Sequence, residues 1–260
     1  MTVPQSPNRS EKCCRPEHST SGSAGAMHIS VTKAAERALR AMVSLGTGDA
    51  AVADVVASGC QMIPPLRAIL FRRDASGLFE VRCRVVDALA RLGAHFVLSE
   101  YLETWPQAID PVERLGDEAV LSAAAAALAK SGTETGLDLL LFLAQSGRLL
   151  RGIVWGLGRY RDRRTIPVLV SALLEDECRP VAEEALAKLG AVARPALLQV
   201  AAAPSQGNES VSRQRRSALR ILAGISTPQI RRQMEALARD RDTAVAAVAC
   251  EVSDYLNQAI

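Results

Sequence analysis

The feature that most constrains this chain is a short segment that recurs along it. The copies are "RAMVSLG" (40–46), "DALARLG" (87–93), "AALAKSG" (126–132), "WGLGRYR" (155–161), "EALAKLG" (184–190) and "SALRILAG" (217–224). Aligned on Met42, Leu89, Leu128, Leu157, Leu186 and Leu219, they stand 47, 39, 29, 29 and 33 residues apart. Self-similarity near a period of 30 in helical segments marks a repeat architecture, in which each unit buries its apolar face only against its neighbours. The fold class that follows is all-α, an α-solenoid of about six stacked antiparallel helix pairs.

The segment around Gly190 shows how one unit is built. Val181, Ala182, Ala185, Leu186 and Leu189 recur at helical spacing and form one apolar stripe. Gly190 then ends the helix, because glycine takes a left-handed conformation without a Cβ penalty. Pro195 opens the next helix, in a first turn where its missing N–H removes no helical bond. Pro167 and Pro228 repeat that placement, with Thr227 as a cap ahead of Pro228, and Pro64 and Pro65 stand before a comparable helix. "DAAVADVVAS" (49–58) reads as an extra short helix that lengthens the first spacing. "TWPQAIDPVERLGDEA" (104–119) reads as a long connection and "PSQGNES" (204–210) as a polar loop.

Composition agrees with helices. The chain is 48% hydrophobic but only 3% aromatic, so Ala, Leu and Val make the core, and these with Arg and Glu keep most of their rotamer freedom in a helix. Residues 1–28 are rich in Ser, Pro, Gly and charge and hold almost nothing to bury, which predicts a disordered tail ahead of repeats spanning 29–260. Met27 directly precedes the first periodic segment and is an alternative start. Of six cysteines only Cys13 and Cys14 are close together, and no C-x-x-C occurs, so reduced, mostly buried thiols are expected. No apolar run has the length of a membrane span and the amino terminus lacks a signal-peptide core, which predicts a soluble, cytoplasmic protein without membrane partners.

Chemistry-bearing patterns are scarce. Of three histidines, His18 and His28 lie in the tail, and His95 reads as an exposed or capping residue at a helix start. There is no H-E-x-x-H, no G-x-S-x-G elbow, no Cys/His pairing and no phosphate-binding glycine loop with its Lys-Ser/Thr. The reading is therefore of no catalytic residues, no metal ligands, no cofactor and no enzymatic activity.

The formal net charge is only +3, so its distribution matters more than its sum. Residues 211–232 hold Arg213, Arg215, Arg216, Arg220, Arg231 and Arg232 with no acid, a charge of +6. "RYRDRR", with Arg159, Arg161, Arg163 and Arg164 against Asp162, carries +3, whereas residues 100–118 carry −5. Equivalent positions of stacked repeats line up, which predicts a row of Arg159, Lys188 and Arg220. That row would attract an acidic protein surface or a phosphate backbone. The opposing expectation is that these cations pair with acids of the adjacent repeat, such as Glu183 or Glu184. Trp155 falls on the apolar stripe and is expected in the core; Trp105, in the irregular connection, is a partly exposed candidate anchor for a partner.

"VRCRVVDALARLG", "RPVAEEALAKLGAVARPALLQV" and "RRTIPVLVSALLEDE" resemble the HEAT-repeat family, in the short-repeat type also found in phycobilin lyases. The resemblance covers about residues 31 to 257 and implies the fold rather than a reaction. The His-Glu pairs with which HEAT-type hydroxylases hold iron are not found here. The leading expectation is a non-enzymatic scaffold or adaptor that binds a protein partner with an acidic surface on its concave face. The candidate contacts are Arg159, Arg163, Arg164, Lys188, Arg213, Arg215, Arg216, Arg220 and Trp105. Electrostatic binding of nucleic acid is the alternative, although the aromatic side chains of HEAT-like DNA glycosylases are missing; a phycobilin-lyase role is the third.

Overall fold

The structure is a computed structural model that describes residues 33–44, 48–72, 79–104, 110–204, 207–225 and 228–258. The expectations on the tail, Met27, Gly46, Thr227 and Trp105 lie outside the described residues. Every element among the described residues is an α-helix or a 3-10 turn. They form two compact units that divide between Ser131 and Gly132.

The first unit holds α1 (Lys33–Val43), α2 (Gly48–Ala57), α3 (Ile63–Phe71), α4 (Phe79–Arg91), α5 (His95–Thr104) and α6 (Pro111–Ala129). Here α4 packs between α2 and α6, with α3 and α5 against it, and α1 rests mainly on α2. The extra helix predicted at 49–58 is thus the one stacked beside α4, a place the repeat alignment assigns to the segment around Met42. The reading of 104–119 as a connection is corrected: residues 111–119 begin the 19-residue α6. Asp110 caps that helix, its Oδ1 accepting from Val112 N at 2.8 Å and Glu113 N at 3.0 Å, and Pro111 occupies the first helical position.

Two arginines of α4 lie inside this unit. Arg82 donates to Asp117 Oδ1 at 2.6 Å, to the Tyr101 hydroxyl and to the Leu70 carbonyl at 3.2 Å, tying α4 to α6, α5 and α3. Burial pushes the Tyr101 phenol up to about 12. Arg84 donates to Asp49 at 2.8 Å, to Glu80 at 2.6 Å and to the carbonyls of Met42 and Ser44 at 3.2 and 3.1 Å. Gly48 makes room for that guanidinium, since a Cβ there would lie 2.1 Å from Arg84 Nη1.

The second unit holds α7 (Glu134–Gln145), α8 (Arg151–Tyr160), α9 (Ile166–Ala172), α10 (Arg179–Leu189), α11 (Arg194–Ala202), α12 (Glu209–Ala223), α13 (Pro228–Leu237) and α14 (Thr243–Gln258). Within it α8, α10, α12 and α14 pack side by side in sequence order, while α9, α11 and α13 pack on the helix that follows or precedes each. The anchors of the alignment are core residues throughout: Met42, Leu89, Leu157, Leu186 and Leu219 are fully buried and Leu128 nearly so. Burying a side chain of that size contributes about 1.5 to 3 kcal/mol.

Pro167 and Pro195 sit in the first turns of α9 and α11, as their places in the pattern require. The helix stops are less uniform than the pattern. Gly93, Gly132 and Gly190, four residues after their anchors, have φ of 73°, 67° and 57°. Arg161 holds the same place after Leu157 at φ 52°, ψ 30°, whereas Gly224 stays right-handed at φ −74°. The expectation of mostly buried thiols is corrected: Cys178 is buried and Cys83 half-buried, but Cys60 and Cys250 are exposed, and none of these four forms a disulfide. Cys250 lies on α14, and Cys60 opens the 3-10 turn Cys60–Met62. No single described helix is long and apolar enough to cross a membrane.

Candidate binding groove

Between α8 and α10 runs a groove of about 260 Å³, lined by Trp155, Gly158, Arg159, Arg161, Val181, Glu184, Ala185 and Lys188. Its floor is low because Gly158 has no side chain: a Cβ there would lie 2.6 Å from Ala185 Cβ. Trp155 and Arg159 are four residues apart on α8 and so share a face. The Arg159 guanidinium lies 5.2 Å from the Trp155 ring centroid, within cation–π range. Trp155 is half-buried in the groove wall, which corrects its expected place in the core. The apolar stripe of α8 is carried instead by Ile153, Val154 and Leu157, and the indole lies at the edge of that stripe.

Two members of the expected row, Arg159 and Lys188, therefore meet in one groove. Lys188 Nζ donates to Glu184 Oε1 one turn back on its own helix rather than to an acid of the next repeat. Arg161 joins them from the left-handed stop of α8. Arg220 is exposed on α12, the neighbour of α10, and does not line the groove.

The remaining arginines are placed differently. Arg163 is exposed in the 3-10 turn Arg163–Thr165. Arg164 is held by Glu134, by Asp138 at 3.1 Å and by Asp162 at 2.9 Å, and it keeps the Asp162 carboxyl below the usual range. Arg213 donates to Asp176 at 2.9 Å and to Glu209 at 3.1 Å, and Arg216 to Glu209 at 2.8 Å. Arg215 is corrected as a surface contact: it is 2% exposed and donates to both oxygens of Asp240 and to the Ala201 carbonyl. Of the six arginines at 211–232, Arg213, Arg215 and Arg216 are thus paired with acids: Asp176 and Asp240 from other elements and Glu209 from their own helix. The acidic stretch behaves alike, with Glu100 on Arg67 and Asp117 on Arg82.

His95 starts α5 as expected but is half-buried; its Nδ1 has no hydrogen-bond partner, and burial lowers its pKa below 6.5. Among the described residues no group of three or more His, Cys, Asp or Glu side chains is placed to hold a metal ion. Sequence reasoning missed Arg161 and the outward turn of Trp155. The signal for the second was the four-residue step from Trp155 to Arg159.

No curated protein matches the chain. Among solved structures it is similar to human deoxyhypusine hydroxylase in complex with glycerol, at 16% identity and a TM-score of 0.37, covering 86% of this chain and 96% of that one. The expectation of no enzymatic activity is corrected by this comparison, because a structure to which the chain is similar is that of an enzyme; the likeness assigns this chain no reaction. Residues 149–175, which take in α8 and α9, match the PBS lyase HEAT-like repeat, and that match supports a HEAT-repeat family for the chain.

Proposed function

We propose that this protein is a HEAT-repeat scaffold or adaptor that holds an acidic segment of a protein partner in the groove between α8 and α10. The observation that carries the reading is that Arg159, Arg161 and Lys188 line one groove beside a half-buried Trp155, with Glu184 as the single carboxylate among its lining residues. A partner's carboxylates would take two-pronged bonds from the arginines, whose planar guanidinium suits them. Trp155 would supply apolar contact at small cost in conformational freedom.

A fluorescence titration tests this. In a Trp105→Phe background Trp155 is the reporting indole, and a Glu-rich synthetic peptide is the ligand. Binding should change the emission, weaken as salt is raised, and weaken at least about tenfold with Arg159→Glu and Lys188→Glu combined. Duplex DNA serves as competitor. DNA that displaces the peptide and binds more tightly would overturn the protein-partner reading in favour of nucleic acid. Peptide binding that the double reversal leaves unchanged would overturn the groove.

A further inference from the structure

A second hollow, of about 710 Å³, lies in the same unit where the amino-terminal ends of α12 and α14 come together. Asn208 caps α12 and Asp242 caps α14. One turn into α12, Ser212 lines the hollow; it is 4% exposed and its Oγ has no hydrogen-bond partner. A buried hydroxyl left unbonded costs free energy, so an acceptor that reaches it from the hollow is favoured.

The charges of the hollow define that acceptor. Each carboxylate lining it is already engaged: Asp240 by Arg215, Asp242 by the backbone of α14, and Glu209 by Arg213 and Arg216. Arg241 is exposed at the hollow and has no acidic partner among the described residues. The amino-terminal end of α12 carries partial positive charge, and its cap, Asn208, is neutral. What remains unmet is one hydroxyl and one guanidinium, both suited to donate to an anion.

We infer that this hollow binds a small phosphate monoester. The phosphate accepts from Ser212 Oγ and the Arg241 guanidinium near the α12 terminus, and the organic part lies against Ala202 and Pro204. The volume supports an ester over a bare ion, since it falls among pockets that enclose whole small molecules.

Calorimetric titration of the full chain with glycerol 3-phosphate, inorganic phosphate and glycerol tests the site. Glycerol 3-phosphate should bind, inorganic phosphate should bind more weakly, and glycerol should not bind. Ser212→Ala and Arg241→Gln should each weaken the ester about tenfold. Ser212→Ala only removes an unbonded hydroxyl, so it keeps the fold, which thermal unfolding of the free protein checks. Glu209→Gln removes a negative charge and should tighten binding. Three results would overturn the site: no binding of either phosphate, affinity untouched by both substitutions, or weaker binding in Glu209→Gln. Inorganic phosphate as tight as the ester would overturn the ester assignment.

Discussion

Replacing Gly158 by alanine tests the close approach of α8 and α10 that forms the groove floor. The new methyl would lie 2.6 Å from Ala185 Cβ, while carbon atoms rest about 3.5 to 4.0 Å apart. The two helices must then separate by roughly 1 Å, because neither methyl can rotate away. Overpacking of this kind costs about 1 to 3 kcal/mol, and the better helix propensity of alanine offsets about 1 kcal/mol. Gly158→Ala is therefore expected to lower stability by up to about 2 kcal/mol. Placed on Ala185→Gly, the same change should instead raise stability by roughly 1 kcal/mol, since the clash is gone and the propensity gain stays. Urea unfolding of the four proteins gives a coupling of about 1 to 3 kcal/mol. Additivity within about 0.5 kcal/mol would refute the argument that α8 and α10 meet through these two residues.

Arg161→Gly should raise stability by about 1 kcal/mol, because a left-handed stop strains a residue with a Cβ, and it should weaken acidic-peptide binding; equal stability in thermal unfolding would count against the strain. Leu186→Ala should cost roughly 2 to 5 kcal/mol in urea, since Leu186 is fully buried; a near-neutral effect would show that the site collapses without loss. The lowered pKa of His95 means that the unfolded chain binds a proton more readily than the folded one. Stability is therefore fully present above about pH 6.5 and is lost as pH falls through the lowered folded value, a slope that His95→Gln should remove from unfolding midpoints measured across that window.

The helical repeats were legible in the sequence because they rest on local physics. A stripe such as Val181, Ala182, Ala185 and Leu186 reads out at helical period, and Gly190 and Pro195 act through their own backbone preferences. The start of α6 carries the same kind of local signal, in Asp110, Pro111 and Glu113, which the reading of 104–119 as a connection passed over. Part of the groove followed from register, because stacking brings Arg159 and Lys188 together. Which arginines stay at the surface was a different matter. Arg215 finds Asp240 25 residues away and Arg82 finds Asp117 35 residues away, and a charge run in sequence holds no record of such pairings. By itself the sequence determined where helices begin, stop and bury leucine, because backbone and periodicity are properties of neighbours along the chain. Tertiary structure alone decided which charges are neutralised, how Trp155 turns outward and where Ser212 is buried, because those depend on groups that folding brings together from separate helices.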